Sequence, residues 1–278
     1  MTRYKSQGFT LIELIMVIVI VGILATMTTK IITLPVNSYL DLQRRTTLVD
    51  TAELTLRRMQ RDIRRALPNS VRITGSGTVL ELLHVEDGGR YRARQDSGLS
   101  ATADCTGPVN DVLDFTSSTE QCFEVTGSLK TFNPQATAGE YLVIYNLGGV
   151  SADSYTGSNR TTLINSSNAK IIKFNAFKFP YNSPQQRFYI VDTPVTYRCF
   201  NNQLLRYSGY PIVATQPNPP TGIGQVVAVQ ADKIASCLFA YDPGSATRSG
   251  LVTLEITLTD AMGESVQLMQ QVHVDNVP

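Results

Sequence analysis

Gly8-Phe9-Thr10-Leu11-Ile12-Glu13-Leu14 opens the stretch of this 278-residue chain that decides its architecture. Ahead of it, Met1 to Gln7 is a polar leader carrying Arg3 and Lys5. Behind it the residues are apolar through Leu24, and from Phe9 to Thr29 the only ionisable side chain is Glu13. As a helix rising about 1.5 Å per residue, those 21 residues span about 31 Å, close to the hydrocarbon thickness of a bilayer. Lys30 ends the run. An unpaired carboxylate inside such a span costs about 2.5–3.5 kcal/mol or more, so Glu13 predicts a functional partner. A secretory signal puts its small-residue cleavage site after the apolar region. Here the small residue, Gly8, stands before it, so a cut after Gly8 removes the leader and leaves the apolar helix attached. Arg3 and Lys5 favour the cytoplasmic side, which places the bulk of the chain across the membrane.

Further along, Pro35 predicts a kink, because proline removes a helical hydrogen bond. The pattern then resumes. Val49, Ala52, Leu56, Met59, Ile63 and Leu67 recur at helical spacing, and Pro68 stops the helix. Arg57, Arg58, Arg61, Arg64 and Arg65 occupy the other side, centred roughly 160° from the apolar stripe at about 100° per residue. Glu53 with Arg57 and Arg58 with Asp62 are i,i+4 pairs that support the helix. The apolar stripe is expected to pack on a globular head. The Arg face has two readings: a solvated or subunit-facing polar face, or a site for a polyanion or anionic headgroups. No aromatic residue interleaves with these arginines, so the stacking platforms of single-stranded nucleic acid are missing from the segment.

Formal charge is +1, and without Arg3 and Lys5 the chain carries 22 basic and 23 acidic side chains. That balance hides an asymmetry. Arg44 to Arg65 has a net charge of +4, whereas Ala66 to Pro278 has −4. A basic neck of this kind suits stacking against a neighbour's acidic surface.

After Pro68 the hydrophobic period falls to two. Candidate strands are Thr78–Val85, Tyr91–Arg94, Cys122–Thr126, Tyr141–Tyr145, Ile171–Phe179, Arg187–Val191, Val195–Phe200, Leu204–Tyr207, Ile234–Tyr241, Leu251–Thr259 and Ser265–Val274. A short strand at Thr161–Ile164 is a further candidate, and Gln225–Asp232 reads equally as helix or strand. Asn201-Asn202 reads as a hairpin turn, and Glu86-Asp87-Gly88-Gly89 reads as a turn in preference to a two-carboxylate calcium ligand. The fold class is therefore α+β: a long N-terminal helix, first transmembrane and then amphipathic, packed on a mainly antiparallel β head. Four cysteines, Cys105, Cys122, Cys199 and Cys237, lie in the exported part and predict disulfides. Three connectivities are open, and the shorter loops favour Cys105–Cys122 with Cys199–Cys237.

Catalytic patterns are missing. There is no G-x-S-x-G elbow, no H-E-x-x-H and no C-x-x-C, and Thr74-Gly75-Ser76-Gly77 lacks a phosphate-loop lysine. His84 and His273 read as strand residues with structural roles. Tyr207 and Tyr210 are candidates for exposed recognition or for hairpin packing. No catalytic residue, metal site or cofactor is expected.

The segment from Gly8 to Leu14, followed by its apolar helix, resembles the N-terminus of type IV pilins and type II secretion pseudopilins. The resemblance implies that prepilin peptidase cuts between Gly8 and Phe9 and methylates the Phe9 amine, and that Glu13 docks the subunit during assembly. Arg187 to Cys199 with Leu204 to Tyr210 is similar to the minor pilins of the mannose-sensitive haemagglutinin (MSHA) pilus system. The implied organisation is a leader at 1–8, a transmembrane helix at 9–30, an amphipathic helix at 31–67 and a periplasmic β-rich head at 68–278. The implied location is the inner membrane, single-pass with a cytoplasmic leader, and the pilus after assembly. Expected partners are prepilin peptidase, other major and minor pilins, the inner-membrane assembly platform and the lipid bilayer; nucleic acid is not expected. A minor pseudopilin of type II secretion, or a tip adhesin or DNA-binding pilin, are the alternative roles.

Overall fold

Thr10 starts the helix that carries everything else. The computed structural model describes residues 8–94, 111–137, 139–149, 151–244 and 249–274; the leader before Gly8 and Cys105 lie outside them. Helix α1 runs from Leu11 to Arg64, 54 residues, a length of about 80 Å. Within it, Leu11–Thr28 has a mean hydropathy of 2.6 and is long and apolar enough to cross a membrane, and among the described residues nothing covers it. Thr26 and Thr28 donate their hydroxyls to the carbonyls of Ile23 and Leu24, so neither carries an unmet donor along the apolar segment. Pro35 does not break the helix, which continues through it. Proline withholds one N–H, and the turns on either side remain helical.

The second half of α1 is held by burial. Leu48, Ala52, Leu56, Met59 and Ile63 are each at most 3 % exposed. They form one core cluster with residues of both sheets. A fully buried Leu, Ile or Met contributes about 1.5–3 kcal/mol relative to exposure, so this stripe dominates the attachment of helix to head. The helix ends at Arg64, three residues short of the expected Leu67. The chain is captured early by the sheet: Val85 N–H donates to Arg65 C=O and Leu67 N–H to Leu83 C=O.

The strands are β1 (Arg72–Thr74), β2 (Val79–Tyr91), β3 (Cys122–Thr126), β4 (Tyr141–Val143), β5 (Arg160–Ile164), β6 (Ile171–Phe174), β7 (Arg187–Phe200), β8 (Gln203–Ser208), β9 (Val226–Ala231), β10 (Ile234–Asp242), β11 (Gly250–Thr259) and β12 (Ser265–Val274). The first nine form one antiparallel sheet, and β10, β11 and β12 form a separate antiparallel meander. The long strands β2 and β7 pair with each other and form the spine. Their register shifts at Leu83, Val85 and Asp87 mark bulges. On one side of the bulges the pair faces α1. On the other it closes a six-stranded ring, β2-β3-β6-β5-β4-β7, around Tyr91, Phe123, Phe174, Phe188 and Ile190. Closure leaves this part without free sheet edges.

Several expected boundaries merge. Glu86-Asp87-Gly88-Gly89 is not a turn but the middle of β2. Its glycines serve close approach, since a Cβ at Gly88 would lie 2.9 Å from the Phe188 carbonyl oxygen and one at Gly89 3.1 Å from the Phe188 ring. Likewise Pro194 sits inside β7, joining two expected strands. Gln225–Asp232 resolves as strand β9 at the sheet edge. Asn201 and Asn202 both adopt positive φ, 50° and 59°, as a two-residue hairpin turn requires.

Cys199 on β7 and Cys237 on β10 form a disulfide joining the two sheets that grip α1. Cys122 is disulfide-bonded as well, and the expected pairing with Cys105 falls outside the described residues. The double substitution Cys199→Ala/Cys237→Ala is expected to remove about 2–4 kcal/mol of stability. Thermal melts of the detergent-solubilised chain check this, and an unchanged melting temperature refutes it.

Candidate functional site

Among the described residues, Gly8 and Phe9 stand clear of the rest of the chain. Gly8 has nothing within 4 Å of a Cβ position, and Phe9 is 87 % exposed. One turn on, Glu13 closes a capping box. Its N–H donates to the Thr10 hydroxyl at 3.4 Å, and its carboxylate accepts from Thr10 N–H at 3.5 Å. The Thr10 hydroxyl lies 3.4 Å from the same carboxylate, so both donors to the acid in the isolated chain come from a residue adjacent to Phe9. Gly8, Phe9 and Glu13 thus lie together at the helix start.

At the other end, Asp62 locks helix to head. Its carboxylate accepts from the Tyr197 hydroxyl at 2.9 Å and from Arg206 Nε at 2.8 Å. The expected Arg58–Asp62 pair does not form, because these partners on β7 and β8 claim the acid. Arg58 donates instead to the Gln230 side chain at 3.4 Å. Burial and the Asp62 charge push the Tyr197 phenol well above its ordinary pKa. Lower on the helix, Arg44 and Arg45 reach Asp260 and Glu264 in the β11–β12 turn.

A second lock lies inside the sheet. Glu81, fully buried in β2, takes Arg72 Nε at 2.6 Å and the Tyr210 hydroxyl at 2.9 Å. Burial raises its pKa, and Arg72 and Tyr210 oppose that rise. Tyr207 and Tyr210 are 6 % and 3 % exposed, so they pack in the core and offer no recognition surface. His84 bonds Asp192 through Nδ1 at 2.8 Å, while His273 is exposed opposite the buried Val272 and Val274. Asp87 accepts the backbone N–H groups of Gly88, Lys130, Thr131 and Phe132. Burial works to raise its pKa, but those four amides outweigh it and hold the carboxyl below its ordinary value. Asp87 is thereby a clamp on the 130–132 loop. Among the described residues no group of three or more Asp, Glu, His or Cys is placed to hold a metal ion.

The five helical arginines separate. Arg57 pairs with Glu53. Arg58, Arg61, Arg64 and Arg65 line a cleft of about 440 Å³, and Arg64 and Arg65 also line an adjoining cleft of about 570 Å³. The far wall of the second cleft carries Arg90 and Arg187 from β2 and β7, which sequence alone does not place beside the helix.

Comparison with known families agrees with the N-terminal geometry. Residues 3–29 match the family described as the prokaryotic N-terminal methylation motif. No curated protein and no solved structure matches the chain. The motif supports a type IV pilin-like protein that is processed by prepilin peptidase and associates with other pilins.

Two measurements follow from the titratable groups. Asp62→Ala leaves Arg206 and Tyr197 without their acceptor and is expected to cost about 1–3 kcal/mol in urea unfolding. Glu120 has its pKa raised to about 7, mainly by burial, with Asp111 and Asp114 adding to the rise against the Cys122 N–H. A raised acid destabilises the fold as it ionises, so its effect is absent near the unfolded value of 4.5 and complete above about 7. Glu120→Gln is therefore expected to match the parent at acid pH and exceed its stability by roughly 1–3 kcal/mol at mildly alkaline pH. A pH-independent difference in melting temperature contradicts this.

Proposed function

We propose that the chain is a minor type IV pilin of the MSHA type, made as a prepilin and assembled into a pilus or priming one. The observation that carries the reading is the placement of Gly8 and Phe9 just ahead of the helix and Glu13 in its first turn, inside a matched N-terminal methylation motif. Cleavage after Gly8 creates an ammonium on Phe9, and methylation keeps its charge. In lipid that cation and the Glu13 carboxylate are both poorly solvated. Pairing Glu13 with the Phe9-type amine of a neighbouring subunit neutralises both in a low-dielectric setting. The capping box supplies the resting state: Thr10 holds the carboxylate until a neighbour's amine replaces it. The inner membrane holds the apolar half of α1, and the head lies in the periplasm until the subunit enters the fibre.

The finer assignment rests on the head segment Arg187 to Tyr210, which resembles the minor pilin MshO of the MSHA system. A role in adhesion follows from that resemblance. Arg pairs on the helix at Leu56–Leu67 are similar to those of J-type minor pseudopilins, so a secretion pseudopilus is the second reading. The chain is a substrate of processing enzymes and has no catalytic role of its own.

Intact-mass measurement of membrane-extracted protein, with and without co-expressed prepilin peptidase, tests the processing step. Loss of residues 1–8 with gain of one methyl group is the expected result. An unprocessed chain beside a correctly processed control pilin overturns the proposal. Glu13→Ala is expected to insert normally yet fail to enter the fibre, and normal incorporation removes the docking role.

A further inference from the structure

The two arginine-lined clefts meet at Arg64 and Arg65, so they form one trench across the end of α1. Arg58, Arg61, Arg64 and Arg65 stand on the helix wall, Arg90 and Arg187 on the strand wall, and no lysine lines either cleft. Three acids line the trench; two are already engaged, and the third, Glu86, lies on the wider cleft. Asp62 holds Arg206 and Tyr197, and Asp87 is filled by four backbone amides. Among the described residues Arg58, Arg61, Arg64, Arg65 and Arg90 form no ion pair. Guanidinium groups therefore outnumber the one remaining acid, Glu86, and each is able to grip an oxyanion with two parallel hydrogen bonds.

We propose that this trench binds the phosphodiester backbone of a nucleic acid without reading its sequence. Three observations select that occupant. The helical wall lies about 50 Å along α1 from the end of its apolar segment, several screening lengths beyond any lipid headgroup. The 440 Å³ cleft is lined only by arginines, Asp62, Gln230 and Tyr197, without an aliphatic side chain, whereas the centre of a protein–protein interface is depleted of charge. The adjoining cleft adds the half-buried ring of Tyr189 beside Gly88 and Gly89, a surface against which a base or sugar can lie. The objection that no ring accompanies the helical arginines thus holds for the helix and fails for the trench. The proposal does not depend on the pilin assignment.

The test is fluorescence anisotropy of a short dye-labelled single strand with the full chain in uncharged detergent, over a range of salt. Binding is expected to weaken linearly in log–log form and to be alike for unrelated base sequences. Arg58→Gln/Arg61→Gln/Arg64→Gln is expected to flatten the salt slope by about 2 and to weaken low-salt binding at least about tenfold. Arg57→Gln, outside the trench, is expected to leave both unchanged. Arg90→Gln, on the opposite wall, is expected to reduce the slope by about 0.7 and gives an independent reading should the triple variant alter the melting temperature. Absence of binding at low salt, or an unchanged slope in both trench variants, overturns the proposal. Equal competition by a poly-glutamate of matched length also overturns it and assigns the trench to an acidic protein.

Discussion

Burial of the Leu48–Ile63 face of α1 against residues of two sheets is the interaction on which the rest of the structure depends. One helix has to suit two solvents. Its first half is apolar on every side, as lipid requires, and its second half is apolar on one side only, as a head in water requires. Because no loop separates the halves, the head has no orientation independent of the anchor. Whatever holds Leu11–Thr28 also fixes the direction of the β2–β7 spine.

The same arrangement explains why polar side chains gather at the helix end. Helix α1 stops where its last turn meets β2, and the negative end of its dipole favours the cations Arg61 and Arg64. Asp62 faces inward to β7 and β8, so its charge is spent on Tyr197 and Arg206 rather than on its helical neighbours. Among the described residues Arg58, Arg61, Arg64 and Arg65 are left without an ion pair, and the bulged spine brings Arg90 and Arg187 across from them. Lock and trench are two sides of one helical turn.

Much of this was legible in the residues. The Gly8–Glu13 segment belongs to a motif recognisable from contiguous residues, so it can be read without a fold. The stripe from Ala52 to Ile63 and the alternation in Leu251–Thr259 and Ser265–Val274 report directly which face is buried. What escaped depends on partners distant in sequence. Glu86 to Gly89 carries the composition of a turn, yet the glycines answer to Phe188, about a hundred positions away. Val226 to Val229 lacks alternation because all four residues are exposed at a sheet edge, which leaves no periodicity to detect. Ring closure, the Asp62 lock and the strand wall of the trench are all pairings that local spacing does not encode. Glu81 did leave a signal, an acid inside Val79-Leu80-Glu81-Leu82-Leu83, where alternation offers a position open only to a neutralised or paired side chain.

The Cys199–Cys237 bridge has a mechanical consequence. A pull on the apolar end of α1 loads its contact with the head along the helix axis, in shear, so the buried side chains from Leu48 to Ile63 resist together instead of peeling away one at a time. Such a contact yields most readily if the two sheets spread and release the helix. The bridge connects those two sheets directly, so spreading is opposed by a covalent bond while sliding is opposed by the whole interdigitated face. A chain held by its anchor and tugged by its head would keep its grip until the sheets themselves began to unravel.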